Sequence, residues 1–177
     1  MTQNYYPAAL IYAFREIELR LNAGQQIRDD DFFRLRTGCN VNAETVLEGV
    51  LVKSKQQYEE RKIQLIGNLL AAISFDETIS ADDACWYLNM IHSLNYQSLL
   101  ILAALAEHQI NTQNDVSIET IYNSDTVVLL QISHLRNIGL IEQESGFVTD
   151  ISLSKVGKIL VTSMKLVDEL NLEGDKI

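Results

Sequence analysis

The stretch LLQISHLRNIGLIEQESGFVTDISLSKVGKIL, residues 129–160, carries an ordered series of helix and strand signals. Its helix-spaced apolar start ends at Gly139, a residue type that readily adopts the left-handed conformation just beyond a helix. The segments LIEQ and FVTDISL then predict two short strands around the turn ESG. Ser154 follows as a cap for another helix. The stretch therefore predicts a helix, a two-stranded hairpin and a second helix.

Further helices are expected on both sides of this stretch. The apolar segment NYQSLLILAALAEH, residues 95–108, predicts the central core helix of the region. A polar loop over residues 109–116 then leads to Ser117, the expected cap of a short helix over residues 118–122, and Asp125 starts the longer helix. After the hairpin, one last helix is expected to turn residues between Val156 and Leu166 inward.

This order of elements over residues 98–166 resembles the winged helix-turn-helix superfamily. The phrase HLRNIGLIEQ…ISLSKVGKIL is similar to the end of many such modules, in which a recognition helix ends at Gly-Leu-Ile before the wing. The resemblance implies a C-terminal winged-helix-like module with a two-stranded wing. It also implies that the longer helix enters the major groove of DNA.

The charge of the chain argues against DNA as the main ligand. The net charge is -10, and residues 115–177 contain five basic and ten acidic side chains. Affinity for nucleic acid depends on Lys and Arg side chains that neutralise phosphates, and the predicted wing, EQESG, is acidic. Because such a module without a basic face usually mediates protein contacts, we expect a protein partner. The side chains expected to face that partner, or DNA, are Gln131, His134, Arg136, Asn137, Lys155 and Lys158.

The N-terminal half is predicted to be helical. A first helix is expected over residues 7–21, followed by Gly24 in the left-handed conformation. Its apolar stripe comprises Leu10, Phe14, Ile17 and Leu21. This amphipathic helix is expected, together with the long helix that follows, to supply a homo-oligomer or partner interface.

A long helix is predicted over residues 42–74, with Asn42 as its N-cap. Its polar centre, KSKQQYEERK, and its apolar ends are typical of a helix that either bridges two packed regions or lies against a partner helix. The alternative is two pieces with a break near Gly49 or Gly67. The residues predicted to form an oligomer interface are Leu47, Leu51, Tyr58 and Leu65.

The segment SADDACWYLNMIHSL, residues 80–94, predicts a helix that begins with Ser80 and Asp83 in a capping box. Its buried stripe should contain Leu88, Ile91 and Leu94. We place the boundary between the two parts of the chain here, with a helical region over residues 1–94 and the winged-helix-like module over residues 95–177.

Residues 59–166 also resemble the helical Abi-alpha phage-resistance family. The resemblance rests on ERKIQLIGNLLAAISFDETISADDACWYLNMIHSLNYQSLLILAALAEH together with the Gly-Leu-Ile ending. It implies a helical protein connected with phage conflict, and it brings no catalytic signature to this chain.

Local motifs for catalysis or metal binding are absent from the sequence. The three histidines lie on different predicted helices, and no Cys-x-x-Cys, His-x-x-x-His or glycine-rich phosphate-binding motif occurs. Asp29, Asp30 and Asp31 favour a solvated turn over a cation site, because the glycine pattern of a calcium loop is missing. We therefore predict no catalytic residue, no metal and no cofactor. An enzyme would need a deep polar pocket assembled from distant residues.

No apolar run approaches the roughly 18 residues that a membrane-spanning helix needs, so no membrane partner is expected. Two isolated cysteines, Cys39 and Cys85, favour a reducing compartment, and we expect a cytoplasmic location. The leading hypothesis is a mostly helical, non-enzymatic assembly protein that forms a homo-oligomer and binds a protein partner in a phage-defence or regulatory complex. The alternative is a DNA-binding winged-helix transcriptional regulator.

Overall fold

The computed structural model describes residues 6–33, 42–112, 116–117, 126–143 and 150–174. These ranges are mostly helical, with eight α-helices and three short antiparallel strands that lie in the C-terminal half. The chain divides into two compact units, Met1–Asn95 and Tyr96–Ile177, at a point one residue from the predicted boundary. None of the helices in the described ranges combines the length and the apolar character needed to cross a membrane.

The N-terminal unit is built around one thoroughly buried helix. This helix, α3, contributes Ile63, Ile66, Leu69 and Ile73 to the core, each with no exposed surface. A single 3-10 turn, Asp31–Phe33, follows the first helix. The helices of the unit are α1 (Tyr6–Asn22), α2 (Ala43–Gln56), α3 (Glu60–Ile73) and α4 (Ala81–Ser93).

The prediction of one long helix over residues 42–74 is wrong. The chain leaves the helical conformation at Gln57, whose φ of -80° and ψ of 129° are extended, and α3 begins three residues later. Neither Gly49 nor Gly67 marks the break, since both lie inside helices. The break lies where the Gln57 side chain turns inward and its amide bonds the Nδ1 atom of His92 over 3.2 Å.

The apolar stripe predicted for α1 is also placed differently. The helix turns small residues, Ala9 and Ala13, towards α3, where Gly67 allows the two backbones to approach closely. A Cβ atom on Gly67 would lie 2.6 Å from the Ala9 carbonyl oxygen and 2.8 Å from the Tyr12 Cβ. Of the predicted stripe, Leu10 and Ile17 are half-buried, whereas Phe14 and Leu21 are exposed.

The predicted helix signals of this unit are confirmed. Asn42 accepts a hydrogen bond from the Thr45 backbone N–H at 3.0 Å, and Ser80 forms a reciprocal capping box with Asp83. Gly24 has a φ of +84° after α1. The stripe of α4 is buried as expected, at Leu88, Ile91 and Leu94.

The C-terminal unit packs helices around a small sheet with the strand order β1-β3-β2. Both pairings are antiparallel, with Val116 opposite Ile151 and Ile141 opposite Leu153. Helix α5 contacts three other helices and two of the strands, as expected of the core helix. The elements are α5 (Tyr96–Thr112), β1 (Val116–Ser117), α6 (Thr126–Asn137), β2 (Ile141–Gln143), β3 (Asp150–Leu153), α7 (Lys155–Met164) and α8 (Leu166–Gly174).

Three predictions for this unit need correction. Helix α5 continues to Thr112 into the expected polar loop, and Ser117 lies in β1 rather than at a helix start. The short helix expected over residues 118–122 falls outside the described residues. The last helix is in fact two helices, because Lys165 adopts a left-handed φ of +56° between α7 and α8.

The corner between α6 and α7 is confirmed in detail. Gly139 has a φ of +78° at the end of α6, and the Ser154 hydroxyl donates to its carbonyl oxygen at 2.6 Å. The same hydroxyl accepts a bond from the Gly157 N–H at 3.0 Å and so caps α7. Gly157 lies so close to the Leu140 carbonyl that a Cβ atom there would overlap it. The corner thus fixes the start of α7 against the Gly139–Leu140 turn that follows α6.

Candidate interaction surfaces

The first candidate surface lies on α6, the helix that the resemblance assigns to recognition. Ile132 and Leu135 bury one side of this helix. The opposite side points outward and consists of Val127, Leu130, Ser133, His134 and Asn137, which we name the α6 face.

The chemistry of the α6 face is apolar at its start and uncharged or weakly basic at its end. Leu130 is 65% exposed and Val127 is 54% exposed, which are high fractions for aliphatic side chains. The Ser133 hydroxyl donates to the Leu129 carbonyl oxygen of its own helix at 2.9 Å. The face therefore presents apolar surface where a DNA-reading helix would present donors to base edges.

The structure separates the α6 residues predicted to face a ligand. His134 and Asn137 are one turn apart on the α6 face, and both are exposed. Arg136 is exposed but lies about 120° around the helix from Leu130, since successive residues are about 100° apart. Gln131 is half-buried, and its Oε1 atom is buried without a hydrogen-bond partner among the described residues. That Gln131 faces a ligand stays a prediction.

The two remaining predicted residues, Lys155 and Lys158, are exposed near the start of α7. This end of α7 packs on the Gly139–Leu140 turn through Ser154 and Gly157, just beyond Arg136. Residues 151–167 contain three lysines and no acidic residue. The start of α7 is therefore a local basic region in an acidic chain.

The predicted oligomer interface does not form one surface. Leu65 is 1% exposed and belongs to the core of the N-terminal unit, so it contacts no second molecule. Leu47 and Leu51 lie on α2, where Leu47 is exposed and Leu51 half-buried. Tyr58 is 86% exposed but lies in the break between α2 and α3. The four residues were expected to share one helix, and the break removes that common seam.

A second candidate surface lies on α1, the helix expected to contribute to an interface, but its residues differ in part from the predicted stripe. Ile11 and Phe14 are 62% and 63% exposed, and Leu21 is exposed about two turns after Phe14. Glu18 lies between them on the same side. We name Ile11, Phe14, Glu18 and Leu21 the α1 face. The small residues Ala9 and Ala13 are the signal that indicates which side of this helix packs closely on a neighbour.

Two buried cations in the N-terminal unit serve the fold. The Lys62 ammonium, 2% exposed in its side chain, donates to the backbone oxygens of His92 and Leu94 at the end of α4, and Glu59 lies 3.5 Å away. Burial lowers the pKa of Lys62, with Glu59 opposing that change. Burial also lowers the pKa of His92, and nearby Lys53 and Lys62 lower it further. The carbonyls that Lys62 satisfies are those that the helix leaves unpaired.

Arg28 has a similar role at the end of α3. Its guanidinium donates to the Ile79 carbonyl at 2.8 Å and to the Ile73 carbonyl at 3.2 Å, and it pairs with Asp30 through two hydrogen bonds. It also lies over the Phe32 ring, 4.2 Å from the ring centre. The Arg28 bond holds the pKa of Asp30 below its ordinary value. One side chain thus ties residues 28–32 to the α3–α4 connection.

The C-terminal unit contains an open cleft of about 520 Å³. Its described lining contains two lysines and one aspartate and no histidine. Among the described residues, no three His, Cys, Asp or Glu side chains are grouped to hold a metal ion. The cleft residues are Ala106, Leu153, Lys158, Val161, Thr162, Lys165, Val167 and Asp168.

Comparisons of this chain with protein-family models, with curated proteins and with solved structures found no match.

Proposed function

We propose that this chain is a non-enzymatic assembly protein whose C-terminal unit is a winged-helix-like module that binds a protein partner through the α6 face. The observation that carries the proposal is Leu130, an aliphatic side chain that is mostly exposed at the centre of this face. Aliphatic surface on the outward side of a helix is stabilised when a partner covers it. We also propose that the working form is a homo-oligomer.

The order of elements supports a winged-helix-like module. Helix α6 is followed by β2, β3 and α7, and β3 lies between β1 and β2 in the sheet. A two-residue first strand paired to the hairpin is in keeping with such modules. The Gly139 turn and the Ser154 cap occupy the positions from which the resemblance was drawn.

Charge favours a particular class of partner. The chain carries a net charge of -10, and acidic residues outnumber basic ones two to one over residues 115–177. Opposite charge speeds association and disfavours wrong partners. Long-range attraction therefore favours a basic partner, and we propose that an apolar patch of this partner covers Val127 and Leu130, because the α6 face itself carries no acidic side chain.

A comparative capture experiment tests this role. Tagged wild-type protein and the variants Leu130→Asp and Arg136→Ala are used to capture proteins from the host, and any captured protein is purified for direct titration. We expect Leu130→Asp to weaken binding at least about tenfold, and Arg136→Ala, off the α6 face, to leave it unchanged. A partner that binds Leu130→Asp as tightly as wild type would refute the proposed surface.

A DNA-binding regulator is the second candidate, favoured by the exposed Lys155 and Lys158 beside the α6–α7 corner. Fluorescence anisotropy with random duplex DNA at about 50 and 200 mM salt tests it. Micromolar binding that salt abolishes, and that is lost in Lys155→Ala/Lys158→Ala but kept in Leu130→Asp, would favour DNA. Absence of binding at the lower salt concentration would eliminate this candidate.

The resemblance of residues 59–166 to Abi-alpha proteins suggests a setting for the assembly. We propose a cytoplasmic phage-defence complex, which plating efficiency of phage on cells with and without the protein would test. The Leu130→Asp variant should lose any protection, because it would not engage the partner.

A further inference from the structure

The α1 face has the spacing of a helix–helix seam. Ile11, Phe14, Glu18 and Leu21 follow one another at intervals of three, four and three residues, as the a and d positions of a coiled coil do. All four side chains are exposed within the folded N-terminal unit. The seam therefore has no partner helix among the described residues of its own unit.

The packing of α1 prevents this face from rotating into the core. On the other side of the helix, Ala9 and Ala13 lie against Gly67 at a distance that leaves no room for a Cβ atom. Larger residues on that side would separate the backbones of α1 and α3. The small residues therefore fix α1 with its large apolar side chains outward.

The charges on the seam indicate what covers it. Glu18 occupies one of the four seam positions, and Arg15 flanks the seam three residues earlier. Neither side chain forms an ion pair with another residue in the described part of the chain. Together they make the seam electrically neutral in an otherwise acidic protein.

A second copy of α1 in antiparallel orientation complements this pattern. Ile11 of one copy then lies opposite Leu21 of the other, and Phe14 lies opposite Glu18. Arg15, next to Phe14, comes within reach of the other copy's Glu18, and two-fold symmetry forms this pair twice. A parallel pair would instead place Glu18 against Glu18, where like charges repel each other. A polar residue at a single seam position commonly fixes the orientation of helix pairs in this way.

We infer that the chain forms a two-fold symmetric homodimer through antiparallel pairing of the α1 faces, with crossed Arg15–Glu18 ion pairs between the copies. This inference gives the proposed homo-oligomer a defined interface, and in that respect it rests on the proposed function. It does not depend on the α6 face or on any partner bound there.

Charge reversal tests the interface in the full-length protein. Sedimentation velocity from low micromolar to on the order of 100 µM should give twice the 20.0 kDa chain mass for wild type. Arg15→Glu and Glu18→Arg should each weaken dimerisation by about tenfold or more, because each creates two like-charge pairs. The double variant Arg15→Glu/Glu18→Arg should restore it to within about threefold, which a folding defect would not do.

Two control variants separate this interface from other surfaces. Val52→Asp introduces a negative charge, as Arg15→Glu does, but at an exposed position on α2. It should leave dimerisation unchanged. Leu47→Asp tests the α2 surface, and loss of the dimer in this variant but not in Ile11→Asp would overturn the inference. A wild-type protein that is monomeric at every concentration would overturn it too, whereas the α6 proposal would stand.

Disulfide trapping tests the orientation. In a background with Cys39 and Cys85 replaced by alanine, mixed Ile11→Cys and Leu21→Cys proteins should form a disulfide with each other upon mild oxidation. Neither protein should form a disulfide with itself. Rapid self-linkage of Ile11→Cys, without linkage to Leu21→Cys, would indicate a parallel pair and contradict the antiparallel arrangement.

Discussion

Different kinds of contact stabilise the interior of the N-terminal unit and the interior of the C-terminal unit. In the N-terminal unit, Arg28 and Lys62 reach the ends of helices that lie far from them in sequence and donate to unpaired backbone carbonyls. In the C-terminal unit, the main corner depends on Gly139, Ser154 and Gly157, which act through the backbone and a single hydroxyl. Two long cationic side chains thus add long-range contacts to the apolar core of the first unit, whereas a turn and a cap form the main corner of the second.

This difference shows why short-range signals in the sequence predict structure better than long-range contacts do. A cap or a left-handed glycine acts on residues within about one turn, so its meaning is visible in a short window. A buried cation donates to whichever carbonyls the tertiary fold brings close to it. The residues next to the cation in sequence do not indicate which carbonyls these are. The predictions below test this contrast, beginning with the largest expected effect.

Replacement of Arg28 by methionine should destabilise the N-terminal unit most. The change leaves the Ile73 and Ile79 carbonyls and the Asp30 carboxylate without their donor, and we expect a loss of about 3–5 kcal/mol in unfolding free energy. Trp86, the single tryptophan, lies in this unit and reports its unfolding in urea by fluorescence. The exposed Arg136→Met should change stability by less than about 0.5 kcal/mol. A loss below about 1 kcal/mol for Arg28→Met would remove the contrast between the units.

Alanine at two close-contact glycines should destabilise each unit through its backbone contacts. Gly157→Ala would drive a methyl group into the Leu140 carbonyl, and Gly67→Ala would do so at Ala9, so each should cost about 1–3 kcal/mol. Gly49→Ala is the matched control, because its Cβ would meet only the Leu88 Cδ1 at 3.5 Å. Hydrogen exchange followed by mass spectrometry should show lost protection in the C-terminal unit for Gly157→Ala and in the N-terminal unit for Gly67→Ala. Equal behaviour of all three variants would contradict the close approaches.

Removal of a helix cap should destabilise the protein less than the glycine substitutions do. Of the two caps, the one at α7 should matter more than the one at α4. Ser154→Ala loses both the cap to Gly157 and the bond to Gly139, and we expect a cost of about 1–2 kcal/mol. Ser80→Ala loses an exposed capping box and should cost about 1 kcal/mol. Thermal unfolding by circular dichroism gives the ranking, with the serine-to-threonine variants as controls that keep a hydroxyl. A larger loss of stability in Ser80→Ala than in Ser154→Ala would contradict the view that the C-terminal unit depends more on its cap.

The smallest predicted effect is a dependence of stability on pH in the N-terminal unit. Burial lowers the pKa of His92 below 6.5, so the unfolded chain takes up the proton more readily than the folded one. The contribution of His92 to stability should therefore fall as the pH drops from 6.5 to the lowered pKa, and it should level off below that pKa. Urea unfolding monitored by Trp86 measures this slope between pH 5 and 7. His92→Gln should flatten it, and an unchanged slope in that variant would assign it to other groups.

The accuracy of sequence-based prediction followed the range of the signals. Asn42, Ser80, Gly139 and Ser154 were placed correctly because each cap bonds a residue about three positions away. The long helix over residues 42–74 was wrong because nothing near Gln57 in sequence reveals that its side chain bonds His92, thirty-five residues further on. The surfaces show the same limit, since Leu65 was predicted to face a second molecule and lies in the core.

The sequence by itself determined the mostly helical character, the hairpin strands β2 and β3 with the helices on either side, several helix caps and the net negative charge, because local backbone conformation and charge are properties of neighbouring residues. The tertiary structure alone decided which face of each helix remained outward. On α1, the close approach at Gly67 turned Ile11 and Phe14 to the outside. On α6, burial of Ile132 and Leu135 left Leu130 exposed and placed Arg136 on another side. A helix with apolar residues all round has several possible buried faces, and only the shape of the surface packed against it selects one.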